Sequence, residues 1–222
     1  WENMDYVLGR RSVSRALVNS LVVCSYAVLL GAVLGVPAAY VIARMKNRVT
    51  QEAQFFALSL RFLPPVAVAI PMMVIWLGLD MYDSRPALII TYMTITVSIT
   101  IWLSVPAFER VPIAIEKAAR VDRLGPYAVF FRIALPVAKL QILSAIAFSF
   151  ILVWNEFLLA MMLTTSRAKT LPIIASEMSQ LGMSVPWGIL NAAVVLLSLP
   201  PLILLALVGT GLNTAFSKKS SE

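Results

Sequence analysis

The chain has 222 residues, 60% of them hydrophobic and 13% charged, with a formal net charge of +7 and a mean hydropathy of +0.87. That composition excludes a soluble globular domain. With no histidine and one cysteine it leaves no basis for a metal site or a disulfide framework. The lysines and arginines sit in short segments between apolar runs, which is the pattern of membrane-protein loops and gives no nucleic-acid-binding face.

Trp1 to Arg15 is polar, aromatic and basic and reads as an extramembrane lead-in. Ala16 to Ala43 then carries no charge, enough for a spanning helix of about 20 residues. Within it Ala27, Gly31, Gly35 and Ala39 recur at steps of four, a small-residue stripe that lets another helix approach closely, within the same subunit ahead of a subunit interface as the alternative. Cys24 reads as a small core residue. Arg44, Lys46 and Arg48 mark a cytoplasmic end. The next uncharged run, Phe62 to Leu79, follows Arg61, read as an interfacial anchor, and is interrupted by Pro64, Pro65 and Pro71, which predict a bent or locally unwound span.

Asp80, Asp83 and Arg85 make a short external turn. Ala87 to Phe108 returns with Thr91, Thr94, Thr96, Ser98 and Thr100, hydroxyls that either line a polar cavity or bond back to their own helix. Leu140 to Thr165 forms the fourth span and contains Trp154-Asn155-Glu156-Phe157, with Glu156 roughly 24 Å along a core about 30 Å thick. Asn155 and Glu156 read equally as structural anchors and as residues of a translocation pathway, together with Thr94. Ser166 to Pro186 is an external loop. Gly188 to Thr210 recrosses, with Pro200-Pro201 predicting a bend, and Lys218 and Lys219 follow.

Between the third and fourth spans, Pro112 to Pro136 is polar and charged. Pro112 opens a short helix in which Glu116 and Arg120 stand at i,i+4. Gly125 is expected to end it, and Pro126 opens a second helix that places Phe130, Phe131 and Ala134 on one side before Pro136 stops it. Lys and Arg number three at 44–48, six at 110–139 and two at 218–219, against three at 10–15, one at 85 and two at 167–169. The resulting eleven to six, with Arg61 set aside, places this loop in the cytoplasm.

The loop resembles the EAA loop of ABC-importer permeases, which reads Glu-Ala-Ala, three residues, Gly, nine residues, Ile, one residue, Leu-Pro. Ala118, Ala119, Ile133, Leu135 and Pro136 match, while Lys117 stands at the motif's Glu and Arg123 at its Gly. Glu116 lies one residue before the motif's Glu, and Gly125 two residues after its Gly. The Trp-Asn-Glu-Phe run adds a second likeness, to the maltose-type carbohydrate permeases.

The resemblance implies an all-α polytopic membrane helix bundle with five spanning helices, taken as one domain over 1–222 with a coupling loop at 109–139. It also implies a further helix before Trp1 and a bacterial inner-membrane location. Glu116, Lys117, Ala118, Ala119, Arg120, Asp122, Arg123 and Gly125 become candidates for docking an ATPase, the charged side chains offering contacts and the two alanines close approach. The implied partners are a second similar permease, two nucleotide-binding ATPase subunits that carry ATP and Mg, an extracytoplasmic solute-binding protein, and membrane lipid.

None of the nine glycines is followed by lysine, so the chain holds no phosphate-cradling loop of its own and is no ATPase. The implied function is alternating-access import of a sugar or oligosaccharide. The alternatives are an ABC permease for another solute, or a secondary transporter, although the sequence shows neither a mid-membrane ionisable cluster nor an inverted repeat.

Overall fold

The computed structural model describes the backbone of residue 7, residues 9–179 and residues 187–219, and of these every side chain but those of 60–62, 179 and 210–219. The anchor role expected of Arg61 and the end marked by Lys218 and Lys219 therefore lie outside the described side chains, as do 180–186 of the last loop.

Among the described residues the chain is helical throughout. In order the helices are α1 (Arg11–Met45), α2 (Arg48–Phe62), α3 (Pro65–Gly78), α4 (Arg85–Glu109), α5 (Ile113–Val121), α6 (Pro126–Trp154), α7 (Leu158–Leu163), α8 (Leu171–Ser179) and α9 (Trp187–Lys219). Four of them contain stretches long and apolar enough to cross a membrane: Arg11–Met45, Arg85–Glu109, Pro126–Trp154 and Trp187–Gly209.

The fifth expected span takes another form. It is divided at Pro64, and Pro65 opens α3, which has 14 residues. At 1.5 Å per residue that is about 21 Å, short of a hydrocarbon core of about 30 Å. Pro65 fits because a helix's first turn needs no N–H from it, whereas the residue before a proline is held extended, and Pro64 has ψ 132°.

The fourth span, expected over Leu140 to Thr165, ends at Trp154 and is followed by the separate helix α7, and the external loop expected from Ser166 contains α8. Two further boundaries differ from expectation. Arg11 to Arg15 belong to α1 rather than to a lead-in. Pro136 does not stop the second helix of the loop, because α6 continues through it to Trp154. The reason is a π-helical segment at Phe130–Ala134, where the Leu135 amide reaches back five residues to the Phe130 carbonyl. A wider turn just before Pro136 accommodates the missing donor that would otherwise break the ladder.

The chain forms two compact units, each assembled from separated stretches: 1–27, 63–93 and 150–206 in the first, and 28–62, 94–149 and 207–222 in the second. The four long helices contribute residues to both.

In the first unit α3 packs on α7. Trp76 Nε1 donates to Thr91 Oγ1 at 3.0 Å, and Trp154 Nε1 to the Leu197 carbonyl at 2.7 Å. Cys24 is buried, with Sγ 3.5 Å from the Val153 carbonyl. Asp83, at φ 54°, is buried and gathers the 165–168 turn around its carboxylate. Oδ1 accepts from the amides of Thr165 and Ala168, both at 3.1 Å. Oδ2 accepts from the amides of Ser166 at 3.0 Å and Arg167 at 2.9 Å, and from the hydroxyls of Thr165 and Ser166 at 3.0 and 3.1 Å. Asn19 secures the same loop by donating to the carbonyls of Arg167 and Lys169, and its Oδ1 accepts from Arg85 Nε.

In the second unit the small-residue stripe does the packing expected of it. A Cβ on Gly31 would overlap Thr96 Oγ1 and lie 2.6 Å from Thr96 Cβ, and one on Gly35 would lie 2.9 Å from Thr100 Cβ. The α4 hydroxyls are thus used in helix contacts. Thr100 Oγ1 stands 3.3 Å from Ser149 Oγ, and Ser98 Oγ donates to the Thr94 carbonyl at 2.7 Å. From Ala39 of the stripe onward the core is drawn from α1, α4 and α6, with Ala39, Phe108 and Ala134 fully enclosed.

Candidate coupling site

The site is the second unit's connection from α4 through α5 into α6. Pro112 caps α5 in extended conformation, and the helix buries a carboxylate while exposing its basic residues. Its buried residues are Glu116 and Ala119, one turn apart, while Ala114, Lys117, Ala118, Arg120 and Val121 all face out.

A carboxylate at 3% exposure needs its charge compensated, and α1 supplies the compensation. Arg44, in the last turn of α1, donates to Glu116 Oε1 from Nη2 at 2.6 Å and from Nε at 2.9 Å. The Tyr40 hydroxyl donates to Oε2 at 2.9 Å. Arg44 Nη2 also reaches the Val111 carbonyl at 3.1 Å, in the connector just before α5. The guanidinium carbon lies 5.7 Å from the Tyr40 ring centroid, and that ring packs at 5.3 Å on Phe108 of α4 and 5.0 Å on Phe130 of α6.

Glu116 is thus not an outward contact and does not pair with Arg120. It binds a residue 72 positions earlier. Ala119 is only 8% exposed, so of the two candidate alanines only Ala118 presents a small surface outward.

Arg123, not Gly125, ends α5. It adopts φ 61°, and the amides of Arg123 and Leu124 bond to the carbonyls of Arg120 and Ala119 at 3.0 and 3.1 Å. This is the Schellman pattern, in which the residue after the cap is left-handed and most often glycine. Arg123, at the position of the motif's glycine, therefore holds a left-handed conformation that glycine ordinarily takes. Gly125, at φ −68°, caps α6 instead, with Pro126 at its first turn.

Lys117, Arg120, Asp122, Arg123 and Gly125 are all exposed. Beside them Val121, Tyr127 and Phe131 are 82%, 81% and 60% exposed. Phe131 therefore parts from Phe130 and Ala134, which are buried. The loop thus carries uncovered apolar surface beside its charged side chains.

The pathway candidates are placed separately. Glu156 lies at the break between α6 and α7, and its Oε1 accepts from the Leu159 amide at 3.1 Å, capping α7. Its carbonyl accepts from the Tyr92 hydroxyl at 3.2 Å. Asn155 is exposed, with Nδ2 donating to the Ile151 carbonyl at 2.8 Å, and Thr94 is half-buried on α4. Sequence reasoning missed Arg44 and Tyr40 as partners of the loop. The one available signal was a carboxylate on the same face of α5 as Ala119.

Together the fold and this loop define a polytopic α-helical membrane protein with a two-helix polar connector between two of its long helices. The family model described as "Binding-protein-dependent transport system inner membrane component" matches residues 31–222. The chain belongs to that family and is an inner-membrane permease component of a binding-protein-dependent transport system. It is 31% identical over 195 residues to the inner membrane ABC transporter permease protein YcjP of Escherichia coli, covering 85% of this chain and 68% of that protein. The trehalose transport system permease protein SugB of Mycobacterium tuberculosis is 29% identical, over 86% of this chain and 70% of its own.

Among solved structures, a bacterial ABC transporter involved in the import of the acidic polysaccharide alginate superposes with a TM-score of 0.75 at 18% identity, covering 94% of this chain and 78% of that one. A chain of the inward-facing MetNI methionine ABC transporter gives 0.73 at 16%, covering 96% and 98%. At such identities these likenesses concern the fold alone.

Proposed function

We propose that the chain is the permease subunit of an ATP-driven importer for a sugar or oligosaccharide, moving its solute by alternating access. The carrying observation is the outward face of α5, which is small at Ala118 and charged at Lys117, Arg120, Asp122 and Arg123, on a chain of a permease family. That face docks on a separate ATPase. Two such ATPase subunits bind ATP and Mg, a second permease completes the membrane path, and an extracytoplasmic solute-binding protein delivers the solute. The positive-inside bias supports a cytoplasmic position for α5. Relatives named for trehalose, and for trehalose and maltose in Thermococcus litoralis, support a sugar. Asn155 and Glu156, at a helix break, and Thr94 are the pathway residues we retain, because interrupted helices in transporters border the solute path.

The complex isolated with the tagged chain, reconstituted in proteoliposomes, tests the reading. Uptake of trehalose or maltose that requires ATP is the expected result. Uptake of methionine with neither sugar refutes the solute class, and uptake indifferent to ATP refutes the importer.

A further inference from the structure

We infer that the Glu116 carboxylate, held by Arg44 and Tyr40, is the mechanical link through which movement of α5 reaches the spanning helix α1. This makes all three positioning residues for transport. The inference rests on the docking of α5 proposed above.

The geometry carries it in three steps. First, α5 has nine residues and buries only two of them in its own chain. Ala119 offers little area, so of the two buried side chains Glu116 makes the stronger attachment, beside the packing of α5 on the start of α6. Second, that attachment is stiff. One carboxylate receives three hydrogen bonds of 2.6–2.9 Å from two residues on successive turns of α1. Charge-assisted bonds to a side chain 3% exposed are stronger than neutral ones and are shielded from water and salt. The Lys46–Glu109 pair, with side chains 68% and 43% exposed, has no such protection. Third, the link is braced at both ends. Arg44 also holds the Val111 carbonyl ahead of α5, and the Tyr40 ring is wedged between Phe108 and Phe130. A push on the outward face of α5 therefore arrives on α1 as a displacement of Arg44 and Tyr40, not as a rotation of a loosely held loop. Docking does not require a buried glutamate on this helix, because every other charged side chain of α5 faces out.

The test uses the assembled complex with spin labels on cysteines at Val41 of α1 and Ile115 of α5, which are 45% and 44% exposed and lie outside the proposed docking residues, in a Cys24→Ala background. The distance between labels is measured without nucleotide and after trapping with ATP, Mg and vanadate. With the link intact, α5 and α1 move together and the distance is unchanged. In Glu116→Gln, and to a smaller extent in Tyr40→Phe, which keeps the ring and removes one hydrogen bond, trapping shifts or broadens it. A link that serves only to fold the loop produces no nucleotide-dependent shift in any of the three.

The inference is overturned if the parent distance changes as much as the variants', or if no chain that retains the ATPase shows a shift. Loss of the ATPase from Glu116→Gln, with Tyr40→Phe indistinguishable from the parent, also overturns it and leaves a structural anchor. Failure of the parent complex itself to retain an ATPase sinks the docking reading instead.

Discussion

Replacing Asp83 by asparagine removes a carboxylate that six donors from residues 165–168 surround. The two hydroxyls can turn to other acceptors, but the four backbone amides cannot. If the asparagine oxygen takes the place of Oδ2, its NH2 faces the amides of Thr165 and Ala168, leaving both without an acceptor. An orphaned buried donor costs about 1–3 kcal/mol; the Ala168 amide is buried and the Thr165 amide only partly so, and the substitution costs roughly 2–4 kcal/mol. At roughly 2–4 °C per kcal/mol for a chain of this size, the apparent melting temperature in detergent falls by about 5 °C or more.

The pH dependence gives a second reading of the same site. Burial raises the carboxyl's pKa, but the amides of Arg167, Ala168 and Thr165 and the Thr165 hydroxyl outweigh it and hold the group well below the usual carboxylate range. A depressed folded pKa contributes stability that is complete above the unfolded value of about 3.9 and is lost as pH falls through the folded value. The gap between parent and Asp83→Asn is therefore constant from neutral pH down to about 5 and narrows below about 4. No gap at pH 7, or a gap as wide at the acid end, refutes the reasoning.

Arg123→Gly removes a left-handed arginine, worth about 1–2 kcal/mol, against a glycine entropy cost of up to about 1 kcal/mol. The net gain is about 0.5–1 kcal/mol in thermal or denaturant unfolding, and a lower melting temperature would contradict it. Gly31→Ala forces a methyl into Thr96 and costs about 1–3 kcal/mol, read as a lower melting temperature and a smaller monodisperse yield. A variant as stable as the parent would show that α1 and α4 do not pack there.

Much of the architecture was legible because the membrane imposes length and polarity on each span. Uncharged runs located the long helices, and steps of four located the α1 face that meets α4. What stayed hidden depends on distant or local geometry that no periodicity encodes. Glu116 has a plausible partner four residues on, in Arg120, yet pairs with Arg44, 72 residues back, because tertiary packing buries it. Asp83 read as part of a polar turn, and its donors lie 82 to 85 residues further along. Arg123 was hidden by its residue type, since glycine is the ordinary signal for a left-handed cap and Gly125 stood nearby. Pro136 misled because a preceding π turn removes the conflict that normally ends a helix.

The docking of α5 on an ATPase is the central claim, and Ala118→Trp tests it most directly. Ala119→Trp does not, since that residue is 8% exposed and an indole there disrupts the chain's own packing. Ala118 faces out, so the variant inserts and folds as the parent does, while the added ring holds α5 away from its partner. The measurement is the amount of ATPase subunit that co-purifies with the tagged permease from membranes containing equal amounts of folded parent and variant. The account predicts a loss of about tenfold or more, which is the effect of 1.4 kcal/mol at a packed interface. An undiminished complement of ATPase on a well-folded Ala118→Trp chain would contradict it.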